Sequence, residues 1–577
     1  MRSRAARHLC SLVLCASMLL CAAAVPAQRK SERDITAPKS SMGRVMLVPI
    51  DDRPATTQFA ELIGRIADVD VIMPPRELLG VFTAGGKPEQ IAAWLRRQDY
   101  RDVDALILSS DMLAYGGLMT SRTSATSLDA AQRRLDVIKD LRHAHPQLPV
   151  YAFSVVQRVA LSATAANRSY RDKLARWVVL ADETTHTNDA KLKAEHENLQ
   201  RELPSALIKD YLATRARNLQ INYAMLELAH SGTINRLLLL QDDAHPYGLH
   251  RRDQATLRER MGALHLSTEQ ATLYDGADEG SNVLLSQAIL RKHNFAPHVR
   301  VIYSSAAGRK HIGAFEDQTI ETSVERQLEN SGALPADDTA QADYTLYVSA
   351  PEQTESDFKA FLATLIADIK SGKHVAIADV LFKVWGGGDS RLIEALAREH
   401  LLDRVIGYAS WGTPGNTLGT VIPQANFYTL ARHKLFDDPQ RAEHSENAEA
   451  NFTLHRYVED YGYQAIVRRA VNDYTRRELK IEVEEFDQPT YKRINEIVAT
   501  RMTAFIDQFF AENFRNRCHD VGVIAKSPRT VCIENMSNLK VRLPWMRSFE
   551  VRVDFDLKDT LLQEYPSAKR KARKKNL

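Results

Sequence analysis

The chain has 577 residues, with 76 Lys and Arg against 73 Asp and Glu for a formal charge of +3, and 44% of its residues are hydrophobic. Much of the small basic excess sits in one terminal run, Lys569, Arg570, Lys571, Arg573, Lys574 and Lys575, which reads as a solvated, disordered tail (558–577). The remainder is near neutral, which argues against a nucleic-acid-binding protein, and it is long enough for two or three domains around a sizeable core.

The chain begins with Arg2, Arg4 and Arg7, continues through an apolar run from Leu9 to Ala24, and reaches small residues at Val25-Pro26-Ala27. This pattern predicts a secretory signal peptide over 1–27, and hence a periplasmic or extracellular protein. The run falls short of the roughly 20 residues that span a bilayer, which disfavours a signal anchor. A leucine directly before Cys21 fits lipoprotein processing poorly, and no later segment is apolar enough to insert stably in a membrane.

Short β-rich apolar runs then recur between longer helical stretches, at 45–50, 69–73, 105–108, 150–156, 237–240, 271–274 and 299–303. Such alternation predicts βα units around a parallel sheet, an α/β domain over 43–330 that is barrel-like or a distorted barrel. An excursion over 171–230 has helical periodicity. A second set of strands at 344–348, 374–378 and 404–408 predicts a smaller open α/β lobe over 343–440, with the boundary near 331–342. A helical segment and a small β finishing element, with strands at 539–543 and 549–555, complete the folded part over 441–557. No internal repeat is detectable. Cys10, Cys15 and Cys21 leave with the signal peptide, and Cys518 and Cys532 are expected to form a disulfide in an oxidising compartment.

Ligands of parallel α/β folds bind where strands end, because loops converge there and helix N-termini point donors at the site. Acidic motifs fall at those positions repeatedly: Asp51-Asp52-Arg53-Pro54, then Ser109-Ser110-Asp111 with Tyr115-Gly116-Gly117 and Arg122, then Gln241-Asp242-Asp243-Ala244-His245-Pro246-Tyr247, then Asp275-Gly276-Ala277-Asp278-Glu279. The second set contributes Asp379, Gly386-Gly387-Gly388-Asp389 and Trp411 to Thr417. Any one of these has an ordinary explanation as a helix cap, a turn or an internal ion pair. Their recurrence at successive strand ends is the signal.

The adjacent carboxylates Asp242-Asp243 and Asp278-Glu279 are the candidate catalytic groups. Like charges held close push one pKa upward, so a proton donor and a base coexist at neutral pH, as glycoside hydrolysis requires. Asp51, Asp52, Arg53, Asp111, Tyr115, Arg122, Tyr247, Trp411 and Asn416 are the candidate substrate-binding residues, the aromatics as stacking surfaces and the polar groups as partners of sugar hydroxyls. A rival chemistry uses Asp51, Asp111, Asp243, His245 and Asp278 as ligands of a divalent ion. HExxH, calcium-loop, Walker, GxGxxG and GxSxG motifs are all absent, and no cofactor is implied.

Pro49-Ile50-Asp51-Asp52-Arg53-Pro54, Ser110-Asp111-Met112-Leu113-Ala114-Tyr115-Gly116-Gly117-Leu118, Gln241-Asp242-Asp243 and the stretch from Trp411 to Gly419 together resemble the DUF4127 family over about 45–550. The resemblance implies a bacterial, enzyme-like protein without assigning a reaction. Where the family pattern is Trp-Asn-Thr, this chain has Trp411-Gly412-Thr413, which removes a side chain from position 412. The expectation from the residues is therefore an exported hydrolase of glycoside-hydrolase type acting on a glycan. A divalent-metal-dependent hydrolase and a non-catalytic periplasmic protein that binds a polar ligand are the alternatives.

Overall fold

The computed structural model describes residues 42–338, 341–381, 387–524 and 527–563. The stretch 1–27 expected to be a signal peptide, Gly386 and the basic tail lie outside the described residues.

Apolar runs too short for helices become strands, most of them buried along almost their whole length, as expected where helices cover both faces of a parallel sheet. In chain order these are β1 (Gly43–Val48), β2 (Val69–Ile72), β3 (Ala105–Ser109), β4 (Val150–Val156), β5 (Arg236–Gln241) and β6 (Ala271–Asp275). They form one parallel sheet of order β2-β1-β3-β4-β5-β6. β7 (His298–Tyr303), β8 (Leu334–Pro335), β9 (Tyr344–Ser349), β10 (Val375–Asp379) and β11 (Gly407–Ala409) form a second parallel sheet of order β11-β10-β9-β7-β8.

The α/β class and the parallel sheets agree with the sequence reading, but the first sheet is open, with β2 and β6 at its edges, rather than closed as a barrel. The seventh run, expected with the first set, pairs instead with β9 as a central strand of the second sheet. The two sheets share a topology that no sequence repeat betrays. In each, the first strand stands between the second and the third, so the winding direction reverses between β1 and β3 and again between β7 and β9. Such reversal points open a crevice at the C-terminal ends of the strands.

Two helices join the sheets. Gly280–Lys292 is buried from Gly280 through Leu290, and Pro414–Lys434 from Pro414 through Ala431. Residues from both, including Val283, Leu284, Val421 and Ile422, share one apolar core with Val45 of β1 and Leu346 of β9. Helices covered on every side belong in an interior of this kind, and their buried polar side chains are among the residues they carry inward. The second helix starts with a capping box, Thr413 Oγ1 accepting from the Asn416 amide and Asn416 Oδ1 from the Thr413 amide, with Pro414 at its first position.

The excursion after β4 is three helices, Arg171–His186, Ala190–Glu202 and Ser205–His230. The finishing element is an antiparallel sheet of three strands, β12 (Arg517–Ile524), β13 (Ser527–Arg542) and β14 (Arg552–Gln563), and Cys518 and Cys532 are joined by a disulfide across β12 and β13. It is larger than the two strands expected. No described helix is long and apolar enough to cross a membrane.

Candidate functional site

The loops leaving β1, β3, β4, β5 and β6 converge at the first reversal point, and their charged side chains pair there. After β1, Asp51 accepts from Arg53 Nε at 3.0 and 2.9 Å, and both side chains are buried. The Arg53 guanidinium continues to the β6 loop, where Nη1 and Nη2 donate to the two oxygens of Asp278 at 2.8 and 2.6 Å. Glu550, just before β14, lies 3.9 Å from the same guanidinium, and the Trp545 ring packs 5.2 Å from it. Asp52 turns the other way, accepting from Trp545 Nε1 at 2.6 Å and from Arg76 Nη2 at 2.8 Å.

The β5 loop carries the other two carboxylates. Asp242 is buried against Arg122, and Asp243 pairs with Arg158, which follows β4. Asp243 is the most open of these acids, with 32% of its side chain exposed, and its backbone φ is +29°, a conformation that costs a residue with a Cβ. Its surroundings push its pKa up. Burial is the largest cause, opposed by Arg158 and reinforced by Asp242 and Asp278. Asp111 lies below, accepting from the Val155 amide at 3.0 Å and from Ser110 Oγ at 3.2 Å, and burial raises it to about 6.

Behind Asp278 lies a second layer of carboxylates that the solvent does not reach. Glu279 is fully buried; Oε2 accepts from the Asn416 amide group at 2.8 Å and the Ala277 amide at 3.1 Å, and Oε1 from Gln327 at 3.2 Å. Glu316 accepts from the Gly415 amide at 2.5 Å and Ser323 Oγ at 3.0 Å, and Asp275 accepts from the Asp317 amide at 2.9 Å. Glu279 and Glu316 therefore sit against the first turn of the Pro414–Lys434 helix, where backbone donors favour negative charge. Burial outweighs those donors and raises both to about 7.

The structure thus brings Asp51, Arg53, Asp111, Arg122, Asp242, Asp243 and Asp278 into one electrostatically connected cluster. Asp52 adjoins it through the β1 turn, while Glu279 and Asn416 support it from within. The rings expected to stack on substrate are committed to packing. Tyr115 is buried with the Arg217 guanidinium 4.4 Å from its ring centre, and Trp411 stands edge-on to Phe59 at 5.8 Å while its Nε1 donates to Thr420. Tyr247 packs with the helical excursion, near His186. Asn416 has its Oδ1 in the capping box and its Nδ2 on Glu279.

The acids proposed as metal ligands are instead paired with arginines or backbone amides, and His245 Nδ1 meets the Tyr247 backbone. Among the described residues no three of His, Cys, Asp and Glu form a group suited to holding a metal ion.

Sequence reasoning missed Arg158, Glu316, Trp545 and Glu550. Arg158 follows a strand as the acids do, so a search for charges of both signs at strand ends finds it. The other three carry no local signal.

No curated protein and no solved structure matches the chain. The family model of DUF4127, a protein of unknown function, matches residues 45–554, a span that holds every residue of the cluster just described. The chain belongs to the DUF4127 family.

Proposed function

We propose that the chain is an exported hydrolase of glycoside-hydrolase type, acting on a glycan at the β1/β3 reversal point. The observation that carries this reading is Asp243: a strained backbone, a raised pKa and the most exposed carboxyl of the cluster coincide in one residue. In this reading the protonated Asp243 donates its proton to the glycosidic oxygen as the bond to the anomeric carbon breaks. Asp278, held by Arg53, is the second carboxylate, and it takes a proton from the water whose oxygen bonds to that carbon. Asp242 and Arg122 hold the β5 loop, and Glu279 acts as a support behind Asp278 rather than as a group that touches substrate.

Export rests on the leader sequence and on the disulfide, which belongs to an oxidising compartment. The test is turnover of a panel of chromogenic glycosides and envelope polysaccharides by the wild type and Asp243→Asn. Cleavage of at least one substrate, lost about a hundredfold or more in the variant, is the expected result. No cleavage of any glycan, or an unimpaired variant, overturns the reading.

A further inference from the structure

The helix Leu249–Ala263 buries His250, Gln254 and Leu257, and the first two of these are polar. An amphipathic helix ordinarily turns apolar residues inward, and a buried polar group is costly unless it is hydrogen-bonded. His250 and Gln254 stand one turn apart on the same face, both fully buried, and they reach the β5 loop on opposite sides of Asp243. Beyond Asp243, His250 Nε2 accepts from the His245 amide at 3.1 Å. Before it, Gln254 Nε2 donates to Gln241 Oε1 at 3.0 Å, and Gln241 Nε2 donates in turn to the Asp242 carbonyl at 2.8 Å. Gln254 Nε2 also donates to Asp317 Oδ2 at 2.7 Å. The Asp243 backbone, at a φ of +29°, is thus held from both flanks.

An imidazole nitrogen that accepts from an amide carries no proton, which places the ring proton of His250 on Nδ1. Burial keeps this ring neutral, with the Arg215 and Arg251 guanidinium groups acting in the same direction and Asp317, 4.0 Å from Nε2, opposing them; its pKa is pushed down to about 4. The acceptor is therefore in place at neutral pH. We infer that His250 and Gln254 are positioning residues for Asp243, a pair that fixes the backbone on both sides of it and so aims its carboxyl at a bound ligand. The inference rests on the reading of Asp243 as the group that meets the ligand, not on the reaction catalysed, and neither residue touches substrate.

Carboxyl ¹³C NMR of protein labelled at the aspartate side chains follows the titration of Asp243 without any substrate, its signal being assigned by its loss in Asp243→Asn. In His250→Leu and in Gln254→Leu the proton affinity of Asp243 is expected to fall about tenfold, because the released carboxyl reaches water. His250→Gln, whose Oε1 accepts where Nε2 did, is expected to restore the wild-type titration, which a general loosening of the fold would not do. A leucine variant that does not fold is replaced by His250→Asn or Gln254→Asn, whose shorter side chains fall short of the same partners. An unchanged titration in either variant overturns the inference, as does a fall in His250→Gln equal to that in His250→Leu. If the affinity shifts and recovers while the wild type cleaves no glycan, the inference stands and the hydrolase reading falls; glycan cleavage at an unchanged rate in both variants does the reverse.

Discussion

Arg53 grips Asp278 through both ends of its guanidinium, at 2.8 and 2.6 Å, across 225 residues of sequence. The same side chain serves Asp51 through Nε, so one buried cation answers carboxylates from the β1 and β6 loops. Only a planar fork of donors satisfies both at once.

Arg53→Met leaves two carboxylates without their cation, and the folded state is expected to lose about 3 kcal/mol or more, measured by urea denaturation. Arg53→Lys restores the charge but not the fork, and a loss of roughly 1.5 kcal/mol is expected. Equal stability of Arg53→Met and wild type would show that the pair contributes nothing to the fold.

The buried acids predict a loss of stability as pH rises toward neutrality. Glu279 and Glu316 stand at about 7 in the fold against an ordinary glutamate value of 4.5, so folding favours their protonated forms. Stability from a raised pKa is fully present below the unfolded value and is lost as pH rises through the folded one. Asp379 and Glu459, also near 7, act in the same direction. The melting temperature is expected to fall from about pH 4.5 to about pH 7 and to level off above that, with a smaller fall in Glu279→Gln. A melting temperature that holds steady or rises over that window contradicts the assignment.

Gly419 lies where the Pro414–Lys434 helix presses on the Glu279 side chain. A Cβ there would stand 2.3 Å from Glu279 Cγ and 2.7 Å from its Cβ, atoms close to the backbone that cannot swing away. Alanine is the better helix former, yet Gly419→Ala is expected to cost about 2 kcal/mol through overpacking. A guanidinium unfolding midpoint at or above that of the wild type sinks this expectation.

Cys518 and Cys532 close a loop with a sequence separation of 14. The chain-entropy account gives about 3 kcal/mol for a loop of that size. Replacing both with serine is expected to lower the unfolding free energy by that amount, read from equilibrium denaturation of the oxidised wild type and the double variant. A difference below about 1 kcal/mol would point to a finishing sheet held by its other contacts.

The strands and the excursion were legible because burial on both faces leaves a continuous apolar run in the sequence, and β1 to β7 all fall within a residue or two of such a run. The pairing of β7 was not legible. Val299 to Tyr303 is equally apolar in either sheet, and only the helix Gly280–Lys292 passing between the sheets turns the chain from one to the other. Among site residues, the acids at strand ends were found together with Arg53 and Arg122, which lie in or beside the motifs, whereas Arg158 was missed because only acids were sought at strand ends and Trp545 because its loop has no pattern of its own. Tyr115 and Trp411 illustrate the opposite error, because a ring beside a motif carries no sign of which neighbour will cover it.

The sequence by itself determined the α/β class, the family and the positions where charged side chains would leave the sheet, because period, burial and turn chemistry are local properties. The tertiary structure alone decided the rest. It left the first sheet open, made Asp278 the partner of Arg53, withdrew Glu279 from solvent, and left Asp243 the most exposed acid of the cluster. Those outcomes follow from desolvation and long-range pairing, and neither is defined until residues hundreds of positions apart share the same few ångströms.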